Sequence, residues 1–138
     1  MKRPAKDESI RWLTQAEDEF VDADDLRKRG RFYLALFHFQ QAAEKAVKAY
    51  LYLKTKSIEV FYTESLDDLL KMAVEADKSF ARIEQAKKLD RYYFPTRYPS
   101  GLPGGVPSRY FDDPKEAEEA MLLAKEVIDL VKKELKER

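Results

Sequence analysis

The side chains best able to do chemistry crowd one stretch, Arg91-Tyr92-Tyr93-Phe94-Pro95-Thr96-Arg97-Tyr98-Pro99, with Arg109-Tyr110 following further on. Guanidinium forks match phosphate oxygens. Aromatic faces stack on nucleobases. Pro95, Pro99, Pro103 and Pro107 share this region with Gly101, Gly104 and Gly105, and glycine lets a backbone approach a ligand closely. Arg97, Tyr98, Tyr93, Arg91 and Arg109 are therefore the candidate nucleotide- and phosphate-binding residues. On residue types alone a second reading stands beside this one. Tyr93 and Phe94 could plug the end of a helical bundle while the arginines pair with acids of the first helix.

Little else in the chain suggests a reaction centre. The single histidine, His38, lies in the most apolar segment, where a hydrogen-bonded core role is the expectation. No His-x-x-x-His or Glu-x-x-His spacing marks a metal site. Pro103-Gly104-Gly105-Val106 lacks the Lys-Ser or Lys-Thr of a phosphate-binding loop. No strand precedes Gly101–Gly105, which excludes a dinucleotide fingerprint. The acidic pairs Asp67-Asp68 and Asp112-Asp113 fall at helix starts, where capping explains them. No catalytic residue, metal ligand set or cofactor is assigned.

Helices must position the basic, aromatic stretch. Leu13, Ala16, Phe20, Ala23 and Leu26, with Trp12 beside them, predict a helix over 7–28, stopped by Gly30. The run from Phe32 to Phe39 is apolar nearly all round and predicts a central helix buried on several sides, continuing to Lys54. A linker over 58–63 leads to a short helix whose start, Ser65 with Asp68, resembles a capping box. Leu66, Leu69, Leu70 and Ala73 form its inner face. A fourth helix is predicted over 79–93, with Phe80, Ile83, Ala86 and Leu89 inward. The Pro/Gly density over 94–112 suits neither helix nor central strand. Asp113, Pro114 and Glu116 then open a last helix as N-cap, first position and capping box. Ala117, Ala120, Ala124, Val127, Val131 and Leu135 face inward. The expected fold is all-α, an up-and-down bundle of about five helices with one long Pro/Gly-rich loop before the last.

Length and composition bound the rest. The 138 residues suit one domain, 1–138, with a real core. Lys+Arg and Asp+Glu balance at 26 each, so no global pull toward nucleic acid or membrane follows. Charge is segregated locally: the first helix is acidic, and 78–110 is basic. The expectation is that the two pack near one another, or that the acidic helix is simply a solvated face. The absence of cysteine, of a long apolar run and of a secretory leader points to a cytoplasmic protein with no membrane partner. Abundant Lys and Glu, with no Asn, lean toward a thermophilic source.

Two stretches carry a family resemblance. Tyr33-Leu34-Ala35-Leu36-Phe37-His38-Phe39-Gln40-Gln41-Ala42-Ala43-Glu44-Lys45-Ala46-Val47-Lys48-Ala49-Tyr50-Leu51 is similar to the second helix of HEPN domains (higher eukaryotes and prokaryotes nucleotide-binding). Leu89-Asp90-Arg91-Tyr92-Tyr93-Phe94-Pro95-Thr96-Arg97-Tyr98-Pro99 is similar to their fourth helix and following loop. The resemblance, to the stand-alone prokaryotic or archaeal type, spans Asp7 to Lys136. It implies a helical bundle, commonly a homodimer, associated with nucleotide or RNA. Many prokaryotic members are encoded beside a small nucleotidyltransferase in toxin–antitoxin-like pairs. Others are metal-independent endoribonucleases carrying Arg, four to six residues, then His. Arg97 matches that Arg, but Leu102, Pro103 and Gly104 occupy the His positions. Glu64 stands where relatives often have His. The resemblance thus implies a non-catalytic domain binding nucleotide or RNA, possessing the arginine but not the histidine. Two alternatives remain: a partner-docking subunit without its own ligand, and a ribonuclease using a tyrosine or His38 instead.

Overall fold

The computed structural model describes residues 4–136. Helices α1 (Ala5–Lys28) and α2 (Phe32–Thr55) form a long hairpin. Gly30 turns it at φ 76°, the left-handed geometry that glycine adopts without strain. The Arg31 amide closes onto the Leu26 carbonyl at 2.9 Å, satisfying an orphan carbonyl of the helix end. A 3-10 turn, Ile58–Tyr62, leads to α3 (Leu66–Ala76). A tightly wound segment, Lys78–Tyr92, follows. The Pro/Gly-rich loop contains a 3-10 turn, Pro99–Gly101, and the single turn α4 (Pro107–Tyr110). Helix α5 (Pro114–Lys136) closes the all-α bundle. Among the described residues there is no strand, and no helix is long and apolar enough to cross a membrane.

Helix α2 is the hub, packing against α1, α3, α4, α5 and the 78–92 segment. Its burial runs opposite to the sequence expectation. The apolar first half is only partly covered at Phe32, Tyr33, Leu34 and Phe37, whereas the second half is enclosed and takes Gln40, Glu44 and Lys48 inside with it. The reason is position: the second half is wedged among several neighbours, so even its polar side chains are enclosed. Lys48 offsets this by pairing with Glu44 at 3.4 Å and donating to the Phe61 carbonyl at 3.0 Å. Its Nζ also lies 5.9 Å from the Trp12 ring centre, over a Trp12–Phe61 stack spaced 4.3 Å. Burial pushes the Glu44 carboxyl above its ordinary range, and Lys48 only partly opposes it.

The 78–92 segment is wound as a 3-10 helix, with a kink at Ile83. Side chains three apart eclipse in such a helix. Phe80, Ile83, Ala86, Leu89 and Tyr92 are all buried, a strict period of three. Fifteen residues is long for this geometry. The apolar spacing explains it, since an α-helix would rotate these five positions progressively off the core.

Candidate functional site

Asp90 fixes the approach to the loop. Its carboxylate accepts the backbone N–H groups of Leu66 and Asp67, both at 2.9 Å, and the Gln40 amide at 3.3 Å. One acid thus caps α3 from outside while Ser65 takes the Asp68 N–H, relieving orphan donors of that helix start. Two residues on, Tyr92 is buried and donates its hydroxyl to Glu116 at 2.8 Å. Burial first, then the hydrogen bond and charge of Glu116, push this phenol well above its ordinary range. Glu116 was expected to complete the α5 capping box; it holds Tyr92 instead, and Asp113 alone accepts the Lys115 N–H. Thr96, also buried, donates to the Tyr92 carbonyl at 2.5 Å. These bonds hold the start of the loop as a tight turn.

Arg97 projects from that turn into an aromatic cage. Its Cζ lies 4.6 Å from the Phe37 ring centre, 4.6 Å from that of Tyr93 and 5.3 Å from that of Tyr98. Its Nε donates to the Tyr93 carbonyl at 2.8 Å. Among the described residues no carboxylate pairs with it. Arg97 is exposed, and neither Nη has a hydrogen bond among the described residues. Tyr98 and Phe94, 48% and 45% exposed, stack obliquely at 5.2 Å beside it. Gly101 lies tight beneath Phe94: a Cβ there would sit 2.7 Å from Phe94 Cδ2 and 3.0 Å from Pro95 Cα. The close approach that glycine permits is thus to the loop itself.

Of the five candidate residues, the fold brings together Arg97, Tyr93 and Tyr98. Arg91 belongs to a different cluster, and Arg109 makes no contact with the cage among the described residues. Arg91 lies over Tyr92 at 5.9 Å, Tyr92 meets Phe111 edge-on, and Phe111 meets Tyr110, the neighbour of Arg109. The expected pairing of these arginines with first-helix acids does not occur. The acids of α1 pair with Arg11, Arg27 and Lys28 of their own helix, with His38 and Lys45 of α2, and with Lys132 of α5. None of the cations between Lys78 and Arg109 has an ion pair among the described residues. A bundle places α2, not the 78–92 segment, beside α1.

Sequence reasoning missed Phe37, the cage wall contributed by α2. It meets the loop only through the fold, and no local pattern in the sequence marks it. His38 is not a core residue either. Its ring is 35% exposed and its Nδ1 is bonded to Glu19 at 2.7 Å. A concavity along α1, lined by Glu8, Arg11, Trp12, Gln15 and Lys45, is separate from the cage. Its cations are already paired with Glu8 and Glu19. No group of three or more metal-ligating side chains occurs among the described residues.

The comparisons with known proteins agree with this architecture. The family model for the HEPN domain matches residues 10–135, and the chain belongs to that family. Among solved structures it is similar to TT1696 from Thermus thermophilus, at 34% identity over 91% of this chain and 96% of that one, with a TM-score of 0.75. It is similar as well to ST0689, described as an archaeal HEPN homologue, at 31% identity over 98% and 99% of the two chains, with a TM-score of 0.74. No curated protein matches.

Proposed function

We propose that the chain is a single HEPN domain, residues 1–138, which binds a nucleotide or the phosphates of an RNA strand through Arg97. The observation that carries this reading is an exposed guanidinium, held by three rings and one carbonyl, with no acid to neutralise it. A cation so fixed loses little freedom when an anion arrives. Exposed Tyr98 and Phe94 offer faces for a base. Calorimetric titration of ATP tests the proposal. Saturable binding that vanishes in a folded Arg97→Ala variant supports it, and equal binding by that variant overturns it.

A second reading is favoured by the exposed apolar side chains of the loop, Phe94, Tyr98, Val106 and Tyr110. Clustered apolar exposure marks protein contacts. We propose that this loop, with the partly covered start of α2, meets a second copy in a homodimer or docks a small nucleotidyltransferase, as in toxin–antitoxin-like pairs of the cytoplasm. Sedimentation of Tyr98→Ser tests it: a lighter species than wild type supports docking of a second copy, and copurification tests the enzyme partner.

A further inference from the structure

We propose that a second copy of this chain closes the Arg97 site: Asp18 and Asp22 on α1 of one copy seat against Arg97 of the other, and a phosphate ligand must displace them. This rests on the homodimer reading of the loop and the start of α2. It assigns the side chains that meet and makes the dimer the shut form of the anion site.

One face of the bundle carries the parts in a row. Phe37 and His38 are neighbours on α2, so their side chains leave the helix about 100° apart. Phe37 turns to the loop, where its ring centre lies 4.6 Å from Arg97 Cζ. His38 turns to α1, where its Nδ1 meets Glu19 at 2.7 Å. Asp18 and Asp22 flank Glu19 on α1 and are exposed. Neither has an ion pair among the described residues. The face thus runs from a cation without an acid, across α2, to two acids without a cation. Within one chain the Phe37 ring and the His38–Glu19 bond stand between them.

The middle of this face is a helix stripe made for a neighbour. Leu34, Phe37, His38 and Gln41 lie at i, i+3, i+4 and i+7, the spacing of a packed helix face, and all four are only partly covered. Farther along α2 the same stripe is roofed. Lys48 lies beneath Trp12, and Tyr52 and Trp12 both stack on Phe61, at 4.8 and 4.3 Å. A two-fold axis over the open part reverses the charge order of the facing copy. Stripe then meets stripe, and each Arg97 meets the other copy's Asp18 and Asp22, so both contacts form at once. Complementary charge sets that register. The carboxylates occupy the place of phosphate oxygens on the guanidinium. Ligand binding and association therefore oppose one another, each weakening the other by the same factor.

The test is sedimentation of the full chain at low salt, with ATP as the probe. Wild type is expected to run as a dimer that weakens as salt is raised and dissociates when ATP is added. The Asp18→Lys/Asp22→Lys variant and the Arg97→Glu variant are each expected to be monomers. Mixed in equal amounts they are expected to form a heterodimer, since both contacts are then complementary again. That heterodimer also reports that both variants fold. Asp18→Asn/Asp22→Asn is expected to bind ATP about tenfold more tightly in calorimetry, as for a site open about a tenth of the time in wild type. A wild-type chain that stays monomeric overturns this inference together with the homodimer reading, and leaves ATP binding by Arg97 standing. A dimer that survives both charge reversals, or a mixture that stays monomeric, overturns the pairing alone. Equal ATP affinity in the asparagine variant overturns the competition.

Discussion

The side-chain amide of Gln40 meets the carboxylate of Asp90 at 3.3 Å. One residue belongs to the α2 stretch that marks the family and the other to the stretch before the loop. Their meeting point is the start of α3, where Asp90 also receives two backbone N–H groups. The two stretches read as separate signals in sequence; in the fold they are one hydrogen-bonded junction.

That junction sets the first expectation. Asp90→Ala strands the Leu66 and Asp67 N–H groups and the Gln40 amide in a partly buried setting. The expected loss is about 2–3 kcal/mol in urea unfolding, the cost of unsatisfied polar groups. Asp90→Asn, which still accepts one of these bonds, should lose about half as much.

Lys48 gives a pH-dependent expectation. Lys48→Met leaves the buried Glu44 carboxylate without its cation, at a cost of about 3–5 kcal/mol at neutral pH. The Glu44 carboxyl already titrates above its ordinary 4.5 in the folded chain, and losing Lys48 raises it further. The folded state then holds a proton that the unfolded chain releases, so stability falls as pH rises through that interval. Thermal unfolding should show the Lys48→Met deficit shrinking toward pH 5 (about the ordinary carboxylate range). The double variant with Glu44→Gln should recover most of it at pH 7.

Gly101 separates loop shape from charge. In Gly101→Ala the new Cβ meets Phe94 and the Pro95 backbone. The ring can swing outward, but the backbone must shift. Phosphate or nucleotide affinity is expected to drop about tenfold through lost pre-organisation. Global stability should change by under about 1 kcal/mol, since the loop is at the surface. Paired calorimetry and urea melts check both.

Arg97 yields the complementary pattern. Arg97→Ala removes cation–π contacts worth about 0.5–1 kcal/mol each at an exposed site, a small change in melting temperature, but should abolish anion binding. Arg97→Lys should not restore it. An ammonium has no planar fork: with one of its three donors on the Tyr93 carbonyl, the other two do not lie side by side in one plane to meet two phosphate oxygens. Equal affinity in the lysine variant would remove the fork from the argument.

Much of the bundle was legible in the chain. The predicted inward residues of α3 and α5 are buried, because each lies at helical spacing along one stripe. Gly30 ended α1 as expected. Burial along α2 was not legible: the apolar start and polar second half misled, because the number of neighbours, not composition, decides enclosure. The period-three spacing of Phe80, Ile83, Ala86 and Leu89 was visible but read as an ordinary helix. The grouping of Arg97 with Tyr93 and Tyr98 was legible because the three lie close together in the chain. Phe37 and the Glu19–His38 bond were not, since they join α1, α2 and the loop across the fold and leave no local pattern.

The 3-10 winding of 78–92 limits how its length can vary between relatives. With three residues per turn and about 2 Å of rise each, deleting one residue would swing everything downstream by about 120° and turn Arg97 away from Phe37. Deleting three would restore the heading but draw the turn about 6 Å closer to α3. Length changes here should therefore be rare, and those that survive should come in threes.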